Sequence, residues 1–356
     1  MRILVLAGEH GGLGPRATLW GLCRALRESL DEVELATTLP DETLEEDSRP
    51  PVVELRAACA TARRRSLVLL TNDALSESWL RGVALPPILA QVRATTAGVA
   101  VLRGAAHTRI GGWIEARSLR TLGAITAADR ASVRNLKSLG ASAATLLPDP
   151  ALLVPAAYAD VAHATLAAAG APGDRRPLLG VVPRRVPLRG RLEHAIDERL
   201  IALVAQALAL VVARRGAFVV CLPAAAADIL LCEELAAKLG AERACVTPPL
   251  DPKTFAGVAS ELAVMLSAHR RAALLAAGVG RPTVALGDPA LAAALEPAGP
   301  GHAFLDAALF LRGGLAAQLA DLVDAALEMR RTPVVRIEEM RASARAGVRS
   351  LIRIAQ

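Results

Sequence analysis

Short apolar runs typical of strands alternate with helix-like runs along almost the whole chain, and this alternation limits the fold more than any other feature. RILVLAG at 2–8 is followed by the helical pattern TLWGLCRALRESL, and AFVVCLP at 217–223 is followed by CEELAAKLG. Consecutive strands separated by helices pair in parallel, because the helix carries the chain back across the sheet. The sequence therefore predicts an α/β protein with parallel sheets flanked by helices.

The length of 356 residues and one break in the pattern predict two domains. Gly, Pro and charged residues cluster in GAPGDRRP at 170–177, which is typical of a linker. We expect one Rossmann-like domain over 1–165 and a second Rossmann-like domain over 175–330. A substrate cleft is expected between them, at the carboxyl ends of the strands. The pattern over residues 331–356 predicts an amphipathic helix, which either packs back on the protein or lies on a membrane surface.

Composition narrows the class of partner. Aromatic residues make up 2% of the chain, which argues against nucleic-acid binding by base stacking. The net charge of +6 is spread along the sequence and is not concentrated in one run, so by charge alone a small anionic substrate fits as well as DNA. Five cysteines without C-x-x-C spacing indicate buried thiols in a reducing compartment. We expect a cytoplasmic protein. Peripheral contact with the inner membrane through the C-terminal helix is an open alternative. The sequence makes no prediction about the oligomeric state.

Three basic residues stand at the start of a predicted helix in SAHRRAALLAAGVG. His269, Arg270 and Arg271 follow an apolar strand, and Ser267 suits the N-cap. A helix N-terminus repels cations and binds anions through its free N–H groups, and arginine adds bidentate bonds. The pattern predicts a phosphate or carboxylate site. The alternative is that the two arginines are solvated or paired with acidic residues.

Other candidates follow predicted strands. Arg184 comes after the first strand of the second half, and His107 has a similar place in the first half. The glycine-rich loop GEHGGLG at 8–14 offers His10, Gly12 and Gly14 as ligand contacts, or else forms only a tight turn. The chain contains no metal-ligand spacing, no P-loop and no G-x-S-x-G motif.

Several stretches resemble the polysaccharide pyruvyl transferase family. DRASVRNLKSLGASAATLLPDP is similar to a family segment with an acidic helix start and a strand that closes on Asp-Pro. LGVVPRR resembles the family strand that ends in Arg, and the segment from SAHRR to GDP resembles its C-terminal signature. Arg184, Ser267 and Asp288 match the family, as does Asp129 of its Arg-Asp pair. The Arg and His of the signature fall in inverted order, at His269 and Arg271.

The resemblance implies a glycosyltransferase-B-like fold and transfer of pyruvate from phosphoenolpyruvate to a sugar or glycan as a ketal. The domain over 1–165 would bind the acceptor and the domain over 175–330 the donor. Phosphoenolpyruvate would be a co-substrate, and no cofactor or metal is implied. His269 would be the general acid, acting with Arg271. The predicted substrate contacts are Arg184, Ser267, Arg270, Asp288, Asp129, His10, Gly12, Gly14 and His107.

Three functions stay open at this point. The first is a pyruvyl transferase. The second is a glycosyltransferase of the same architecture that uses a nucleotide sugar. The third is a catalytically degenerate relative that binds a glycan or a protein.

Overall fold

The computed structural model of the chain describes residues 3–7, 12–29, 33–37, 67–71, 95–101, 122–184, 192–287, 289–295, 301–313, 316–329 and 334–353. The described strands form two six-stranded sheets, and the chain divides into two compact units. Every described strand pair is parallel. The predicted α/β class with parallel sheets and helices is therefore confirmed.

The sheet of the first unit follows the order β2-β1-β3-β4-β5-β6. Its strands are β1 (Ile3–Ala7), β2 (Val33–Thr37), β3 (Leu67–Thr71), β4 (Thr95–Val101), β5 (Ala124–Ala127) and β6 (Thr145–Leu146). The described helices of this part of the chain are α1 (Leu13–Arg27) and α2 (Arg130–Ser138). Strands β1 and β3 are buried at every position where their burial is described.

Close backbone contact fixes α1 against the turn after β6. Gly21 lies against the carbonyl of Pro150, where a Cβ would have no room. Beside it, the hydroxyl of Thr18 donates a hydrogen bond of 2.9 Å to the buried carboxylate of Asp149. Gly21 and the hydrogen bond between Thr18 and Asp149, one turn earlier in the helix, therefore determine how α1 docks.

The sheet of the second unit follows the order β12-β11-β10-β7-β8-β9. Its strands are β7 (Leu178–Val182), β8 (Phe218–Cys221), β9 (Ala244–Val246), β10 (Val264–Ser267), β11 (Thr283–Gly287) and β12 (His302–Asp306). The intervening helices are α3 (Ala159–Ala168), α4 (Leu192–Arg215), α5 (Ile229–Leu239), α6 (Pro252–Glu261), α7 (Arg270–Gly278), α8 (Pro289–Leu295), α9 (Ala307–Gly313) and α10 (Ala316–Glu328).

Apolar burial and helix capping explain these elements. Val211 of α4, Leu235 of α5 and Leu319 of α10 belong to one buried core with the strands. Asp251 caps α6 by accepting hydrogen bonds from the N–H groups of Lys253 and Thr254, at 2.9 and 3.0 Å. Pro occupies the first turn of α6, where its missing N–H costs nothing.

The boundary between the units lies at Leu153–Val154, whereas the sequence suggested the interval between 165 and 175. The reason is that α3 packs on α6 of the second unit, where Ala157 N–H donates to the carbonyl of Lys253 at 3.0 Å. Three residues of the glycine-rich loop, Gly12–Gly14, also count with the second unit.

The last described helix, α11 (Val334–Arg353), returns to the first unit from Met340 onward. Its apolar side, including Ala344 and Val348, is buried. Gly347 lies against the side chain of Leu147, and Arg341 Nε donates to the carbonyl of Leu152 at 3.2 Å. Among the described helices, none has the length and apolar character needed to cross a bilayer.

Candidate functional site

The candidate site lies at the carboxyl ends of β7 and β10 in the second unit. These neighbours pair so that Val182 stands opposite Ser267. The chain continues from β7 towards β8 on one side and from β10 towards β11 on the other, so the strand order reverses between them. A crevice at such a reversal is the usual ligand site of an open α/β sheet. Arg184 follows β7 and α7 follows β10, so Arg184 and the basic residues at the start of α7 meet at this place.

The turn from β10 to α7 is fixed by Ser267, which is fully buried. Its hydroxyl donates to the carbonyl of His269 at 2.9 Å and accepts from the His269 N–H at 3.1 Å. The N–H of Ala268 continues the sheet ladder by donating to the carbonyl of Val182 at 2.9 Å. Because the ladder extends this far, the helix begins later than the sequence suggested, and the prediction that Ser267 is the N-cap is wrong.

The N-cap of α7 is His269, whose backbone is extended with φ −110° and ψ 120°. Its ring nitrogen Nδ1 accepts a hydrogen bond of 3.4 Å from the N–H of Ala272. Removal of the ring from water, followed by the positive charges of Arg184 and Arg271, lowers the pKa of His269 from 6.5 to about 3. The imidazole is therefore neutral at neutral pH.

The arginines around this ring differ in exposure. Arg271 is 6% exposed, Arg270 is half-buried, and Arg184 is exposed. Guanidinium groups bind phosphate and carboxylate oxygens with two parallel hydrogen bonds. Together with the N–H groups of the first turn of α7, they form an electropositive place that suits an anionic ligand.

The segment Gly12–Gly14 lies against the same group of residues. The N–H of Leu13 donates to the carbonyl of Ala224, which follows β8, at 2.7 Å. A Cβ on Gly14 would lie 3.0 Å from both Cε1 of His269 and Cδ of Arg271. The absence of side chains therefore lets this backbone approach the imidazole. Gly14 was a predicted ligand contact, and the structure brings it to His269 and Arg271.

Asp129 has a local role in the first unit, as the N-cap of α2. Its carboxylate accepts from the N–H of Ser132 at 2.6 Å and from the hydroxyl of Ser132 at 3.0 Å. Both oxygens are thus used by the cap, and a substrate contact for this residue stays a prediction. Gly12 lies near Ala224 and Ala225. The predicted contacts His10, His107 and Asp288 lie outside the described residues.

Sequence reasoning missed two groups at this edge of the sheet. One is the carbonyl of Ala224, which holds Leu13. The other is Thr247, a buried residue directly after β9 whose hydroxyl has no hydrogen-bond partner among the described residues. The first polar side chain after the apolar run ACV was the available signal for Thr247, whereas a backbone carbonyl leaves no signal in a sequence.

Comparisons with known proteins identify the fold. No protein-family model matches the chain, and no curated protein sequence matches it. A UDP-GlcNAc 2-epimerase from Methanocaldococcus jannaschii superposes with a TM-score of 0.65 at 11% identity, over 99% of this chain and 100% of that chain. The E. coli ADP-heptose LPS heptosyltransferase II gives 0.54 at 14% identity, over 92% and 98%. UDP-GlcNAc 2-epimerase from Neisseria meningitidis bound to UDP-GlcNAc gives 0.61 at 11% identity, over 99% and 100%.

These similarities show that the chain has the glycosyltransferase-B fold, with two Rossmann-like domains. This agrees with the fold implied by the sequence resemblance. Membership of the polysaccharide pyruvyl transferase family is not confirmed, because no family model matches.

Proposed function

We propose that the chain is an enzyme of the glycosyltransferase-B fold that acts on a nucleoside-diphosphate sugar. The diphosphate would lie at the N-terminus of α7. The observation that carries this proposal is the meeting of Arg184, Arg271 and the start of α7 where the strand order reverses. A diphosphate offers several anionic oxygens, and this place offers both guanidinium and N–H donors.

The structural neighbours support a nucleotide sugar over phosphoenolpyruvate. They include epimerases named for UDP-GlcNAc, a heptosyltransferase named for ADP-heptose, and an S. aureus protein determined with UDP. In each case the named ligand is a nucleoside diphosphate or its sugar ester. The proposal transfers this ligand class, and not the particular sugar or base, to the present chain.

The site suits a reaction in which the diphosphate leaves. In glycosyl transfer the bond between the anomeric carbon and the diphosphate oxygen breaks, and the nucleoside diphosphate departs with the bonding electrons. The acceptor hydroxyl oxygen bonds the carbon and gives its proton to a base. Donors that are already oriented towards the developing negative charge lower the barrier, and they act most strongly where water is excluded. The buried Arg271 and the first turn of α7 meet this requirement.

The proposal is tested by ligand binding. UDP, ADP and UDP-GlcNAc are added separately at millimolar concentration, and the melting temperature is followed. A ligand at 100 times its dissociation constant stabilises the fold by about 2.7 kcal/mol. Arg184→Ala should weaken binding, whereas Arg199→Ala, which removes another exposed positive charge, from α4, should not. The absence of a shift with every nucleotide would contradict the proposal.

A pyruvyl transferase is the second candidate, favoured by the imidazole of His269 beside Arg184 and Arg271. In that case phosphoenolpyruvate should raise the melting temperature, whereas the nucleotides should not. Phosphate should then be released once a sugar acceptor is added. Tight nucleotide binding without turnover of any tested sugar would instead favour the third interpretation, a non-catalytic binding protein.

A further inference from the structure

The ring of His269 is held in one orientation by its surroundings. Nδ1 accepts from the N–H of Ala272, and Cε1 faces the backbone of Gly14. The residue's own N–H and carbonyl are both bonded to the hydroxyl of Ser267. The ring therefore cannot flip by rotation about its bond to Cβ without losing the hydrogen bond that caps α7.

This orientation also determines where the ring proton lies. A nitrogen that accepts a hydrogen bond carries no proton, so the proton of the neutral ring is on Nε2. A second proton on Nδ1 would remove the cap and would add a cation beside Arg184 and Arg271. Ser267 is neutral, and the segment Gly12–Gly14 brings no charged side chain to the ring. The charges that act on the pKa of His269 are both positive, from Arg184 and Arg271.

The geometry points to His269 as a neutral hydrogen-bond donor that presents its Nε2–H to an anionic oxygen of the ligand, and not as a general acid. This inference rests on the proposed function and narrows its chemistry. A diphosphate ester leaves as a weakly basic anion and needs a donor but no proton. Pyruvyl transfer from phosphoenolpyruvate, in contrast, must protonate the methylene carbon. The site of His269 therefore suits leaving groups that depart without protonation.

The first test reads the tautomer directly and does not need a ligand. Long-range ¹H–¹⁵N NMR of the imidazoles, between pH 5 and 8, should show one ring with an unprotonated Nδ1 and a protonated Nε2 throughout. The signals of this ring should vanish in His269→Asn and remain in His163→Asn, which changes an exposed histidine of α3. The pattern should persist when UDP is added. A doubly protonated ring at pH 6, or a proton on Nδ1, would overturn the inference.

The second test separates donation from capping with two variants. His269→Asn keeps a side-chain oxygen that can cap the helix but lacks the distal donor, whereas His269→Gln places an N–H further out and caps poorly. If the Nε2–H binds the ligand, UDP affinity should fall about ten- to a hundredfold in the first variant and recover in part in the second, as for a hydrogen bond to a charged oxygen. A purely structural role predicts the reverse order.

Turnover gives the decisive contrast with acid catalysis. The inference expects His269→Gln to keep kcat within about tenfold of the parent, whereas loss of a general acid costs about 10²–10⁴-fold. A collapse of kcat with unchanged affinity would overturn it. If UDP, ADP and UDP-GlcNAc all fail to bind, the proposed function fails, and the tautomer measurement still decides the state of His269.

Discussion

The backbone of Gly14 lies against the imidazole of His269, so closely that a Cβ on Gly14 would come within 3.0 Å of the ring carbon Cε1. The same Cβ would lie 3.0 Å from Cδ of Arg271, which is buried. Contacts this short require a neighbour to move, because packed interiors have little spare room. The glycine thus helps to hold the ring and the guanidinium where the ligand is proposed to bind.

Gly14→Ala should displace the ring of His269 or the side chain of Arg271. We expect a loss of about 1–3 kcal/mol from the free energy of unfolding, the usual range for overpacking, and weaker UDP binding. Chemical denaturation and UDP titration measure the two effects. The matched control is Gly12→Ala, whose Cβ would have only ordinary contacts of 3.5 Å with Ala224 and Ala225. Equal effects of the two substitutions would contradict this prediction.

The lowered pKa of His269 should make stability depend on pH. Its folded pKa of about 3 lies below the unfolded value of 6.5. Between these values the unfolded chain binds a proton that the folded chain does not, so stability is complete above pH 6.5 and falls as the pH drops towards 3. The slope is at most about 1.4 kcal/mol per pH unit.

The His269→Asn variant isolates this contribution to the pH dependence. The difference in unfolding free energy between parent and variant should shrink as the pH is lowered from 7 to 5, because only the parent has the titrating ring. A difference that stays constant over this interval would show that the pKa of His269 is not lowered in the folded protein.

Asp324 connects α4 to α10 through two arginines. It accepts from Arg214 and Arg215, each at 2.9 Å, and its side chain is 13% exposed. Asp324→Asn should lower the free energy of unfolding by about 1–2 kcal/mol, because two charge-assisted hydrogen bonds are weakened. Asp321→Asn is the control, since Asp321 is 69% exposed and bonds only to Arg214 among the described residues. It should change stability by less than about 0.5 kcal/mol. Similar losses in both variants would argue against a special role for Asp324.

Gly21 should be intolerant of any side chain. A Cβ there would run into the backbone carbonyl of Pro150, which cannot move aside as a flexible side chain can. Gly21→Ala should therefore cost about 3 kcal/mol or more of the free energy of unfolding. Gly173→Ala, in the exposed loop before β7, meets nothing within 4 Å and should be nearly neutral. Thermal unfolding of the two variants gives the comparison, and a stable Gly21→Ala protein would mean that α1 docks differently.

Much of the fold was predictable because it depends on local patterns. The strands that became β1, β7, β8 and β10 were recognised from apolar runs. The elements missed in the second half include one helix and one edge strand. The helix Ala159–Ala168 was hidden in an alanine-rich stretch with little contrast between its faces, and β12 is only half-buried at most positions.

The sequence alone determined the strand-to-helix turn that carries Ser267, His269 and Arg271, since these residues are neighbours in the chain and the apolar pattern on either side defines the elements. Tertiary structure decided that β7 is the neighbour of β10, which brings Arg184 to His269, and that Gly14 lies against the same ring. It also decided that His269, and not Ser267, caps α7. The physical reason is that periodicity records which side of an element is buried, whereas the choice of partner depends on packing between segments far apart in the chain.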